Sequence, residues 1–288
     1  MSLLEVKNLT YIYGKGTPFE MRALDGVSLS VEKGEIVALI GHTGSGKSTL
    51  IQHLNALLKP HSGQVLFMGK DINADKALTR SVRFQVGLCF QYPEYQLFES
   101  TVYRDIAFGP TNMGLKEDEV RAAVSEAAAF VGLKEDYFEK SPFDLSGGEK
   151  RRVAVAGVMA MRPEVLILDE PTAGLDPNGR RVILSLIRNY CTQTGKTVII
   201  VSHSMDDVAS LASRIIVMNR GKIAMDGSVE QVFLRSAELT KMGLNIPQVT
   251  QILLELKKRG YAVNSSVFTL EGARRELLRV LKEGGGAK

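Results

Sequence analysis

Hydrophobic positions recur along this chain with two different periods. LLEVKNL, GVSLSV and QVLFMG alternate apolar and polar residues, which predicts half-exposed antiparallel strands. EIVALIG, VLILDE and TVIIVSH are almost continuously apolar, which predicts parallel strands covered by helices on both faces. GLCFQ, ending at Gln91, predicts a fourth strand of that kind, and RIIVMNRGKIAMDG a hairpin turning at Arg220–Gly221. TLIQHLNALL reads as a helix. From Glu94 to Met161 the pattern is helical, with EDEVRAAVSEAAAFVGL rich in Ala and Glu and Gly132 placed as a stop. After about Leu239 the pattern changes again. NIPQVTQILLELKKRG predicts a helix with Asn245 as cap, Pro247 in the first turn and Gly260 as stop. GARRELLRVLKEGGG predicts a second amphipathic helix, and the final GGGAK is expected to be disordered.

Composition narrows the class. With 288 residues, 44% hydrophobic and 24% charged, the chain can bury a core without disulfide staples. Its two cysteines, Cys89 and Cys191, form no metal-ligand pattern and suit a reducing compartment. A net charge of +4 is too mild to argue for nucleic acid. No run approaches the roughly 18 apolar residues of a membrane helix. The start, MSLLEVKN, carries charge where a signal peptide would be apolar. The chain is therefore expected neither to be exported nor to span a membrane, and a peripheral seat through a partner stays open.

The stretch GHTGSGKST, Gly41 to Thr49, changes the picture. It matches GxxxxGK[ST] between a buried strand and a helix. Ordinary composition gives that pattern by chance on the order of 1% of the time in a chain this long. Gly44 and Gly46 let backbone N–H groups converge on an anion, and the following helix offers its positive end. Lys47 supplies a point charge for the β- and γ-phosphates, and Ser48 a hydroxyl for Mg²⁺. The whole loop, with His42, Thr43, Ser45 and Thr49, is expected to hold a nucleoside triphosphate with magnesium. VLILDE puts Asp169 and Glu170 at the end of a buried strand, facing the ligand crevice of an open α/β sheet. Asp169 suits the magnesium shell, and Glu170 is placed to polarise an attacking water. His203, ending the next strand, can reach the γ-phosphate, and Gln91 can reach magnesium and water at the same edge.

LSGGEKRRVAVAGVMAMRPEVLILDEPTAGLD, Leu145 to Asp176, joins these parts. LSGGE followed by a strand ending in DE resembles the signature and Walker B segments of ATP-binding-cassette (ABC) ATPases. The resemblance covers roughly residues 1–235. It implies an α/β P-loop NTPase fold of the ABC type: a RecA-like core, an antiparallel β subdomain, a helical signature subdomain and a small C-terminal helical extension. The expected bounds are 1–94 and 162–239 for the core, 95–161 for the signature subdomain, and 240–288 for an extension that contributes a dimer contact. Tyr13 matches the aromatic that stacks on adenine, with the adjacent Tyr11 as competitor. Two such domains pack head to tail, so that Ser146, Gly147, Gly148 and Glu149 of one face the phosphate loop of the other. Asp176, in AGLD, lines that interface. Lys150 stands where Gln often follows this motif, with little effect expected on binding.

Finer features resemble the ATPase subunits of energy-coupling factor (ECF) transporters, which import vitamins and metal ions. The carriers are YGKGTPFEMRALDGVSL with its insertion after Tyr13, FQYPEYQLFESTVYRDIAFGP, RRVAVAGVMAMRP and the tail beyond Leu239. DEPTAGLDP and TPFE resemble the second of that family's two ATPase types. The resemblance implies ATP and Mg²⁺, a second ATPase subunit (a heterodimer, with a homodimer open) and a transmembrane coupling subunit. A substrate-binding membrane subunit would be engaged indirectly, and the chain would sit peripherally on the cytoplasmic face of the cell membrane. Between Gln91 and Pro110, Tyr92, Tyr95, Leu97, Phe98, Val102, Tyr103 and Phe108 are expected to form the surface that accepts a helix of the membrane partner. Two readings compete: a soluble ABC ATPase acting on nucleic acid or ribosomes, and a nucleotide switch without turnover. No basic run with interleaved aromatics supports the first, so no nucleic-acid partner is expected. Glu170 and His203 together oppose the second.

Overall fold

The computed structural model describes residues 2–282. Its strands are β1 (Leu4–Tyr13), β2 (Met21–Val31), β3 (Ile36–Ile40), β4 (Ser62–Phe67), β5 (Lys70–Asp71), β6 (Val86–Cys89), β7 (Val165–Asp169), β8 (Thr197–Val201), β9 (Arg214–Asn219) and β10 (Lys222–Ser228). Its helices are α1 (Lys47–Leu54), α2 (Lys76–Gln85), α3 (Val102–Asn112), α4 (Glu117–Phe130), α5 (Gly147–Met159), α6 (Pro177–Thr194), α7 (Met205–Leu211), α8 (Val229–Phe233), α9 (Ser236–Lys241), α10 (Gln248–Lys258) and α11 (Leu270–Lys282).

The two predicted strand classes separate into two sheets. The alternating runs form an antiparallel sheet in the order β2-β1-β4-β5. The apolar runs form a sheet in the order β10-β9-β3-β8-β7-β6, in which only the β9–β10 pairing is antiparallel. Strand periodicity explains why its central members carry no polar face. Ile36, Ala38 and Ile40 of β3 enter one core with Leu166 and Leu168 of β7 and Val198 and Ile200 of β8. Val37, Leu39, Val165, Ile167, Ile199 and Val201, the intervening residues, enter a second core with α1 and the antiparallel sheet. The sheet is thus a wall with helices α3 to α7 on one side and the smaller sheet on the other. A third, small core of Leu253, Val263, Ala273 and Val280 joins α10 to α11.

Some expectations shift. The strand in GLCFQ stops at Cys89, so Gln91 stands two residues beyond it, exposed. Pro247, not Asn245, caps α10: its carbonyl accepts from Thr250 and Gln251, and a ring nitrogen without hydrogen loses nothing outside the helix. The insertion after Tyr13 is mainly a loop over 14–20, closed by the pairing of Ile12 with Arg22 and Tyr13 with Met21 and beginning at Gly14 with φ 59°. The hairpin at Arg220–Gly221 stands, with both residues at positive φ, as a tight turn matching strand twist requires. The GGGAK tail lies outside the described residues.

Candidate nucleotide site

The ends of β3, β6, β7 and β8 converge on one crevice of about 450 Å³. Its lining contains Thr43, Gly44, Gly46, Lys47, Ser48, Thr49, Gln91, Asp169, Glu170 and His203. Three positions absent from the sequence argument, Met21, Arg22 and Ala23, close its side. Only their place in β2, directly after the hairpin loop, could have signalled them.

The phosphate loop is shaped by close approach on one side and open space on the other. A Cβ on Gly46, at φ 103°, would fall 2.5 Å from the Ala23 carbonyl, whereas one on Gly44 would meet nothing within 4 Å. Gly41, His42 and Ser45 do not line the crevice; His42 Nε2 stands 3.2 Å from Asn219 Oδ1. Ser45 is fully buried and its Oγ has no hydrogen-bond partner. Lys47 is only 6% exposed, and its Nζ donates to the carbonyls of Gly41 at 2.7 Å and His42 at 3.1 Å. Burial pulls its ammonium below the usual lysine range, and Glu170 and Asp169 oppose that shift.

The acidic side is the counterpart. Burial raises the Asp169 carboxyl and pushes Glu170 up to about 7. Glu170 sits at φ 49°, a left-handed backbone that costs a non-glycine residue about 1–3 kcal/mol and re-aims the chain at the strand end. Its Oε1 is buried without a hydrogen-bond partner, with His203 Nε2 3.5 Å away. Burial lowers the His203 pKa, so the imidazole is held neutral. Asp207, 3% exposed, secures both loops: it accepts from Thr172 Oγ1 at 2.7 Å and Arg180 Nε at 2.6 Å, while Arg180 Nη2 donates to Ser204 Oγ at 2.6 Å. Sequence reasoning missed Asp207 and Arg180, which carry no motif of their own.

The donor set fits a phosphate chain with Mg²⁺. An open glycine cradle faces the positive end of α1, and Ser48, Gln91 and the half-buried carboxylates of Asp169 and Glu170 offer oxygen. Among the described residues no three His, Cys, Asp or Glu side chains cluster as a metal site. Magnesium arriving with phosphates needs only one or two protein carboxylates.

Other expected residues lie elsewhere. Tyr13 is 36% exposed, and its hydroxyl is 3.3 Å from Thr49 Oγ1 beside the crevice. Tyr11 packs edge-on against His53 and against Tyr13, so Tyr13 has the freer ring. Ser146, Gly147, Gly148 and Glu149 do not line their own chain's crevice. They start α5 in a capping box: Glu149 accepts from Ser146 N at 2.8 Å, Ser146 Oγ at 2.6 Å and Tyr137 OH at 2.8 Å. Those bonds, Ser146's first, hold the Glu149 carboxyl near 2, so it buttresses the turn. Gly147 and Gly148 face open space. Asp176 caps α6 by accepting from Gly179 N at 2.7 Å. The expected partner surface divides. Tyr92, Tyr95, Phe98 and Phe108 are exposed, whereas Leu97 and Val102 are core, since the cap at Thr101 turns Val102 inward. Tyr103 packs part-buried on Phe138.

Residues 24–173 match the ABC transporter family. The chain is 53% identical over 278 residues to the energy-coupling factor transporter ATP-binding protein EcfA2 of Clostridium tetani, covering 96% of each. It is 52% identical to the protein of that name from Caldanaerobacter subterraneus, covering 97% of this chain and 98% of the other. Among solved structures, cbiO1 of Clostridium perfringens, described as part of the ABC transporter complex cbiONQ, superposes with a TM-score of 0.73 at 41% identity. That match covers 83% of this chain and 94% of cbiO1. The ATP-binding cassette MJ0796, solved as a dimer bound to ADP and Pi, gives 0.71 at 28% identity over 78% of this chain and 98% of its own.

Proposed function

The chain belongs to the ABC transporter ATP-binding family, and from that premise we propose that it is the ATP-hydrolysing subunit of an ECF-type importer of vitamins or metal ions. One observation carries the enzymatic part: Lys47, Ser48, Gln91, Asp169, Glu170 and His203, from four strand ends, surround a single crevice. The relatives in Clostridium tetani and Caldanaerobacter subterraneus support the transport part.

In this reading Tyr13 offers its ring to adenine, and the loop from Gly41 to Thr49 wraps the phosphates with backbone N–H groups. Lys47 exchanges its two carbonyl acceptors for the β- and γ-phosphates. Ser48, Gln91 and Asp169 would hold magnesium, which would neutralise charge developing on the phosphates. Glu170 accepts the proton of the attacking water; a carboxylate raised to about 7 is a stronger base than an ordinary one and is still ionised at neutral pH in part. Neutral His203 donates to the γ-phosphate and faces Glu170.

Because Ser146, Gly147 and Gly148 lie outside their own crevice, the phosphates are enclosed only when a second ATPase subunit, a sister chain in a heterodimer or a second copy of this chain, presents its own α5 start. The core would comprise 1–94 and 162–239, the signature subdomain 95–161, and the extension 240–288. A groove lined by Arg83, Leu97, Phe98, Phe108, Val158 and Met161 lies between α3 and α5. It would take a helix of the membrane coupling subunit and seat the chain on the cytoplasmic face. ATP hydrolysis by the purified chain tests the enzymatic reading. Turnover in the wild type and at least a hundredfold loss in Glu170→Gln are expected; equal turnover would place the base elsewhere.

A further inference from the structure

Arg151 is a charge with no place in the site just described, yet it is only 4% exposed. It lies on the second turn of α5, the helix that begins at Ser146. Its Nε and Nη2 fork onto Glu94 Oε2 and Oε1, both at 3.1 Å. Its Nη1 donates to the Ala173 carbonyl at 2.7 Å and approaches that of Pro171 at 3.5 Å. The guanidinium carbon stands 5.9 Å from the centre of the Tyr92 ring. The sequence positions of these partners give the contact its meaning. Tyr92 and Glu94 follow Gln91, and Pro171 and Ala173 follow Glu170. One side chain therefore ties side chains of the segment after Gln91 and the backbone after Glu170 to the helix that carries the signature.

A buried ion pair is a poor means of adding stability, because desolvation offsets its attraction. It is a good means of fixing geometry. The planar guanidinium can grip a carboxylate with two donors and still aim a third at a carbonyl, which an ammonium on a flexible stem cannot do in the same fixed fork. We infer that Arg151 is a positioning residue for ATP hydrolysis: the Arg151–Glu94 pair sets Gln91 and Glu170 in register with each other and with the start of α5. It touches no substrate. Its hydrogen-bond and ring partners are Glu94, Pro171, Ala173 and Tyr92, and none lies in the phosphate loop, so ATP capture is independent of it, whereas the placement of water and magnesium is not. The inference rests on the ATPase reading above.

The test is steady-state hydrolysis by the full chain assembled with its membrane partners, for the wild type, Arg151→Lys, Glu94→Gln and the double variant, with melting temperatures recorded in parallel. Arg151→Lys is expected to lower kcat about tenfold or more while KM for ATP stays within about twofold, since misplacement of reacting groups by ~1 Å costs up to ~100-fold. Glu94→Gln, nearly isosteric, is expected to lower kcat severalfold. The double variant should be no slower than Arg151→Lys, because the two residues act as one unit. A wild-type kcat in Arg151→Lys, additive losses in the double variant, or losses that merely track the folded fraction would each overturn the inference. A wild type with no Glu170-dependent hydrolysis would instead remove the ATPase reading on which it stands.

Discussion

Burial disfavours the charged forms of both Lys47 and Glu170, and each offsets part of the other's shift. Lys47→Ala removes the buried cation assigned to the phosphates, so ATP affinity should fall about 10–100-fold in an equilibrium binding assay; unchanged affinity would contradict the assigned role of the loop. Glu170 makes two pH predictions. As a base it must be ionised, so kcat/KM should decline as pH falls below about 7. Its effect on stability has the opposite sign. The carboxyl titrates near 7 in the fold against a reference of 4.5, so its favourable contribution is complete below 4.5 and is lost as pH rises through about 7. Glu170→Gln, which cannot ionise, should therefore stabilise the fold near pH 8 by on the order of 3 kcal/mol, seen as a higher melting temperature, and not near pH 4. Calorimetry at the two pH values checks this, and equal shifts at both would mean the carboxyl is not held up by burial.

At the scale of elements, the segment after Gln91 separates two functions that its composition mixes. Tyr95 is 84% exposed and Phe98 57%, while Val102 is fully buried. Tyr95→Asp or Phe98→Asp should abolish transport and spare ATP hydrolysis, measured as the ratio of uptake to turnover. Val102→Asp, which places a charge in the core, should cost about 3 kcal/mol or more and lose both activities together. Sequence could not make this division, because exposed Tyr95 and Phe98 and buried Leu97 and Val102 alternate within a few residues, and the cap at Thr101 starts the helix that turns Val102 inward. The phosphate loop and VLILDE were legible for the contrary reason: their residue types are dictated by local backbone chemistry, glycine where backbone must approach backbone and a carboxylate at a strand end. Arg151, Glu94, Asp207 and Arg180 were not, since their partners lie far apart in the chain and meet only after the sheet has formed.

For the whole molecule, the two-sided core was readable from three apolar runs, and the tail's separate small core from its amphipathic helices. The tail nevertheless meets the main body, with the Phe268 ring 5.7 Å from that of Phe233, and leaves Ile252, Leu270, Leu278 and Leu281 exposed. Deleting residues 240–288 should weaken subunit pairing about tenfold or more in sedimentation of the ATP-bound Glu170→Gln protein; unaltered pairing would assign the tail a different surface. Neither the crevice nor the tail encodes a cargo, which in this reading is bound by a separate membrane protein. The central claim is tested most directly by capturing the tagged full chain from its native membranes in detergent and identifying what accompanies it by mass spectrometry. The expected result is a second ATP-binding cassette subunit together with a polytopic membrane protein. Ribosomal proteins or nucleic acid, with no membrane protein, would leave the ATPase chemistry in place and contradict the transport assignment.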